Sequence, residues 1–234
     1  MVSLYAFIEL QIYLSQIKQY SFMKTYFINF KQTFVFISFI LMSISGFSQA
    51  ETSKWKAQFA IGGNHAFSEG FVDGYYAKGF NFPTINLGLQ HMFKRQFGAK
   101  LDFGYNRFSS TDGSPEFKVN YSRINAQFIY DPTPVITFLP VGLGLVAHAG
   151  PGFSIIKPLG IYAENNTSFL NVMAGIEIHY SITQLLTIYL DTSYIYGLSG
   201  DFDPVTEGYG SFNGNLLTAT IGVSLSLSGC YDCD

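Results

Sequence analysis

Charged residues make up 12% of this chain of 234 residues. The few that interrupt apolar, alternating stretches are therefore the first candidates for chemistry. Lys100, Asp102, Arg123, Glu177 and Asp191 are such residues, two cations and three carboxylates. An ion withdrawn from water is costly unless a counter-ion meets it, so five of them on inward positions imply one ion-pair network. Arg123 is expected at its centre, because its five-donor fork can bridge carboxylates from more than one segment.

Other reactive types carry less. His65, His91, His148 and His179 fall on separate segments without metal-ligand spacing. A hydrolytic centre needs a histidine beside a serine and an acid, and His148 with Ser154 is the nearest local pair. Gly142-Leu143-Gly144-Leu145-Val146-Ala147 imitates a dinucleotide-binding turn, but no helical pattern follows it. Cys230 and Cys233 could form a redox pair or half a zinc knuckle. With no second pair nearby, a tail disulfide or a linker remnant is the simpler expectation. Asn165-Asn166-Thr167 is read as turn chemistry. The expectation is no catalytic residue, no metal and no cofactor.

These side chains need a frame, and composition says which kind. Aromatics reach 18%, with 24 Phe and 16 Tyr, beside 23 Gly. That favours short-turned β structure and excludes intrinsic disorder, coiled coil and a basic nucleic-acid binder. After residue 50 there are ten Lys and Arg against fifteen Asp and Glu, which leaves no polycationic surface. No apolar block of membrane-helix length occurs there either.

The one dense apolar run is Phe34 to Ile44, with Lys24 and Lys31 before it and Ser48-Gln49-Ala50 after it. A basic start, a short apolar core and small residues describe a cleavable export signal over residues 23–50. Residues 1–22 precede Met23, a natural start, and are read as an over-called extension.

Beyond the leader the chain alternates with a period of two. Between Lys54 and Phe67 the odd positions include Trp55, Phe59, Ile61 and Phe67, while the even ones include Lys54, Lys56, Gln58 and Asn64. The same pattern marks Pro83–Phe93, Phe97–Arg107, Asn120–Tyr130, Val135–Ala149, Leu170–Tyr180, Leu186–Tyr196 and Asn215–Leu227. Eight strands of this length, apolar on one face and Gly, Ser, Thr and Asn on the other, suit a lipid-facing barrel better than a soluble sandwich. The connections read alternately long and short, with short ones at 94–96, 131–134 and 181–185. Phe93, Phe97, Tyr130 and Tyr180 lie by the short turns, and Tyr105, Tyr194 and Tyr196 by the long loops, as two aromatic girdles. The fold expected is all-β, an eight-stranded antiparallel up-and-down transmembrane β-barrel over residues 51–229, with 230–234 as a tail.

On this pattern the chain resembles the eight-stranded N-terminal barrel of OmpA-like outer-membrane proteins of the Bacteroidetes type. The strings that carry the likeness are Gly46-Phe47-Ser48-Gln49, Leu145 to Gly152 and Gly229 to Asp234. The resemblance implies an interior salt-bridge cluster that plugs the lumen and can act as a gate. It implies outer-membrane lipid, lipopolysaccharide and the insertion machinery as partners. Peptidoglycan would join them only through a C-terminal domain that follows such barrels in longer chains. The last strand lacks a terminal aromatic of the kind free-standing barrels present, which favours truncation or a once-longer ancestor over a free-standing barrel. The function expected is structural and non-catalytic, in the outer membrane. The alternatives are a narrow gated pore and, on fold analogy, a lipid-modifying enzyme.

Overall fold

The computed structural model describes residues 53–202 and 205–230. Eight strands run β1 Ser53–Ala66, β2 Asn81–Met92, β3 Phe97–Ser109, β4 Lys118–Tyr130, β5 Leu143–Pro158, β6 Thr167–Ser181, β7 Leu186–Leu198 and β8 Leu216–Cys230. Each pairs antiparallel with the next, and β1 pairs β8 to close the barrel. Their lengths, from 12 residues in β2 to 16 in β5, suit tilted strands crossing a bilayer. The leader expected over 23–50, the segment 1–22 and Cys233 lie outside the described residues. Of Cys230 only the backbone is described.

The alternation of side chains decides the faces. On β3 and β4 buried and exposed residues alternate almost without exception. Leu89, Leu101, Ile124, Phe128, Ile176 and Leu190 stand outward and exposed. Both aromatic girdles stand on that outer face, with Phe97 stacked on Tyr130 across the β3–β4 pair at 5.3 Å.

The fifth strand departs from the sequence reading. Instead of Val135–Ala149 it spans Leu143–Pro158, and residues 131–142 form a long connection where a short turn was expected. Strict alternation of loop lengths therefore fails at this one place. Pro132, Pro134 and Pro140 cannot donate to a ladder, and the chain turns through a 3-10 segment at Thr133–Val135 and a left-handed Gly142 with φ of 87°. Gly150-Pro151-Gly152, read as a loop start, stays inside β5. The β4–β5 pairing is interrupted opposite Ala126 and Gln127 and resumes in the same register, so the missing Pro151 N–H falls in that gap.

The inward side chains are buried along the described length of the barrel. At the loop end Phe71, Phe108, Phe117, Phe169, Phe212 and Tyr121 pack together inside the wall. Phe71 and Phe212 come from the β1–β2 and β7–β8 connections and meet at 4.8 Å. At the turn end Met92, Ile129 and Val146 form a smaller apolar cluster. Polar and charged side chains fill the space between, as the width of an eight-stranded barrel dictates.

Candidate functional site in the barrel lumen

All five charged residues singled out in the sequence point inward and are buried. They separate into two groups rather than the single network expected. Arg123 on β4 donates from Nη1 to Asp102 on β3, and from Nη2 to Asn86 on β2 at 3.0 Å. The same Nη1 reaches Asn125 at 3.3 Å. From there amides carry the chain onward: Asn125 Nδ2 donates to Asn171 at 2.6 Å, and Asn171 Nδ2 donates to Ser154 at 2.8 Å. Ser154 lies 2.7 Å from the Tyr121 hydroxyl, where the polar ribbon meets the apolar plug.

The second group centres on Glu177 of β6. Lys100 Nζ donates to its Oε1 at 2.5 Å, Gln58 Nε2 donates to Oε2 at 3.2 Å, and His179 Nε2 lies 2.6 Å from Oε2. His148 Nε2 is 4.0 Å from Oε1 and 3.5 Å from Asp191 Oδ1. Ser193 donates to that same Asp191 oxygen at 2.5 Å. Glu177, not Arg123, is thus the node where most partners meet, a correction to the sequence expectation. Arg123 is held beside Asp102 on the neighbouring strand through its two terminal nitrogens, while its buried Nε meets no partner. Glu177 collects partners from β1, β3 and its own strand.

Small residues make this crowding possible. Gly104 is the cross-strand neighbour of Arg123, and a Cβ there would stand 2.5 Å from the guanidinium carbon. Gly175 faces His148 in the same way, with its Cβ position 2.6 Å from the imidazole. Each large polar side chain therefore lies flat over a bare stretch of the adjoining strand.

The sequence reading left both lumen histidines out of the charge network. His179 stands two residues from Glu177 on the same face of β6, a spacing that alternation alone shows, whereas His148 on β5 approaches Glu177 and Asp191 only through strand pairing. His65 and His91 lie on other surfaces: His65 Nδ1 is 2.8 Å from the Gly79 carbonyl, and His91 packs against Trp55 at 4.3 Å. The inward aromatic plug was also unforeseen, since its residues sit at strand ends or in connections.

His148, Glu177 and Asp191 bring donor atoms within 4.8 Å of one another, the spacing a metal ion requires. The Glu177 oxygen this set would offer already carries the Lys100 ammonium, so a positive charge of the chain occupies the position. Nor do the groups form a hydrolytic relay. Ser154 is engaged by Tyr121 and Asn171 rather than by His148. Ser193 is 3.5 Å from His148 Nε2, but Asp191 approaches that same nitrogen and Nδ1 meets no partner. An acid that orients a base has to bind the far nitrogen.

Above the plug, tyrosines tie three connections together. The Tyr75 hydroxyl is 3.0 Å from that of Tyr162, and its ring stacks on Tyr209 at 5.5 Å. Burial and then the Tyr162 hydrogen bond push the Tyr75 phenol up to about 12. The Asn165 backbone N–H closes a turn onto the Tyr162 carbonyl at 3.0 Å, and its side chain donates to the carbonyls of Thr206 and Tyr209 at 3.2 and 2.8 Å, a clasp between two connections that the turn reading did not imply.

No family model matches the sequence, and no curated protein matches it. Solved structures do. Ail, the attachment invasion locus protein of Yersinia pestis, is 15% identical with a TM-score of 0.43, covering 76% of this chain and 99% of that one. A major outer membrane protein from Thermus thermophilus is 10% identical with a TM-score of 0.45, covering 72% and 98%. Neisserial surface protein A is 12% identical with a TM-score of 0.51, covering 74% of this chain and 96% of that one. The chain has the closed eight-stranded antiparallel fold of the outer-membrane barrels, the likeness resting on shape and not on sequence.

Proposed function

We propose that this chain is a structural, non-catalytic barrel of the outer membrane, exported through the leader at 23–50, which steadies the envelope and displays four connected loops. The OmpA-like likeness of Bacteroidetes type belongs to this reading. The observation that carries it is the filled lumen: an aromatic plug at one end, ion pairs through the middle and an apolar cluster at the other. Such an interior engages its charges with one another and leaves none facing a substrate. Outer-membrane lipid and lipopolysaccharide are the partners its outer surface fits, and the insertion machinery is the route to it. Peptidoglycan enters only through a further domain.

The test is refolding of the barrel into lipid vesicles, followed by solute entry and acyl-chain release. Vesicles that neither swell in small sugars nor release fatty acid support the reading. Steady swelling favours a narrow pore. Acyl release abolished by His148→Ala favours a lipid-modifying enzyme. Either result overturns the structural role.

A further inference from the structure

The connection between β4 and β5 is the longest at its end of the barrel. Past Asp131 its residues 132–142 contain no ionisable side chain, as the short turn at 182–185 also does not, whereas the turn at 93–96 carries Lys94 and Arg95. Every connection at the opposite end contains acidic residues. Val135, Phe138 and Val141 are 62%, 85% and 102% exposed, so the tip presents its apolar atoms outward.

The base, by contrast, is fastened. Asp131 N donates to the Gln96 carbonyl at 2.7 Å, and Ser181 N donates to the Gly142 carbonyl at 2.8 Å. Thr133 Oγ1 accepts from Leu145 N at 2.9 Å and its own N–H donates to the Asp131 carboxylate at 2.9 Å. The segment is therefore a held arm with an uncharged tip.

Its surroundings indicate what covers it. The arm leaves the wall beside Tyr130 and returns beside Tyr180, whose ring lies close to Gly142, and both rings belong to the turn-end girdle of the outer surface. The arm thus continues the apolar outer band past its aromatic rim. An exposed apolar element without charge, adjoining a lipid-facing band, fits the acyl boundary of a leaflet better than water or a polar protein surface.

We infer that residues 134–141 dip into the turn-side leaflet and anchor that end of the barrel in lipid. This inference rests on the membrane reading above and extends it to a segment that is not a strand.

The experiment uses full-length chain in vesicles with Trp55 replaced by Phe, and a single tryptophan introduced as Phe138→Trp, Phe103→Trp or Lys94→Trp. Only preparations with β-sheet circular dichroism are compared. Lipid brominated along its acyl chains should quench Phe138→Trp and Phe103→Trp at least several-fold more than Lys94→Trp. If Phe103→Trp is quenched while Phe138→Trp is quenched no more than Lys94→Trp, the arm stands in water and the inference falls alone. If neither Phe138→Trp nor Phe103→Trp is quenched, the membrane reading falls with it. Blue-shifted Phe138→Trp emission without quenching, accompanied by cross-linked dimers, would assign the arm to a second copy instead.

Discussion

Gly175 on β6 and His148 on β5 are direct cross-strand neighbours, and the imidazole lies over the glycine where a side chain would otherwise stand. That pairing lets a histidine, two carboxylates and a serine share one level of a narrow lumen. Gly175→Ala should therefore displace the imidazole and lower stability by about 1–3 kcal/mol, the usual cost of overpacking. Gly79→Ala, with open space around its Cβ position, should leave the urea midpoint unchanged. Equal shifts for the two would show that His148 does not lie over Gly175.

Arg123→Ala leaves Asp102 buried without its cation, a loss of about 3–5 kcal/mol. Lys94→Ala, in an exposed turn, should not move the urea midpoint. The same logic applies to Lys100 and Glu177, and a double-mutant cycle with Lys100→Met and Glu177→Gln separates pairing from packing. The double variant should be less destabilised than the sum of the single ones. Strict additivity would mean that the two are not coupled.

Phe212 is fully buried and touches Phe71 and Phe108, with ring centres 4.8 and 5.0 Å away. Phe212→Ala should cost about 3–5 kcal/mol and loosen both connections it joins. Limited proteolysis should then cut residues 67–80 and 199–215 faster than in the wild type, with 93–96 unaffected. A uniform rise at all sites would point to global unfolding rather than loss of a plug.

The connections at 110–117 and 159–166 lie at the end of the barrel opposite the start of β1 and the end of β8. In intact cells, cysteines introduced as Gly113→Cys and Gly160→Cys should react with a membrane-impermeant maleimide, and one at Lys94 should not. Labelling at Lys94 alone would invert the orientation.

Much of the barrel was legible because alternation depends on local residue order. Lys100, Asp102, Arg123, Glu177 and Asp191 took inward positions from parity alone, even on a chain without family matches. β5 was displaced because prolines and glycines mean different things in context. Pro140 breaks a ladder that an apolar run suggests, while Pro151 falls at a gap where no bond is lost. The partners within the lumen were not legible, since which side chains meet across strands depends on register. Donor count alone favours Arg123 as the centre. Glu177 takes that place because His179 and Lys100 converge on it from β6 and β3. The aromatic plug was hidden because Phe71 and Phe212 come from connections, where no period marks an inward face.

Electrical recording across planar bilayers tests the closed lumen most directly. Wild-type barrel, inserted and shown to be folded, should give no discrete channel openings at any applied voltage the bilayer tolerates. Stable, reproducible openings carried by the wild-type barrel would contradict a lumen sealed by its aromatic plug and its ion pairs, and would make the narrow pore the function.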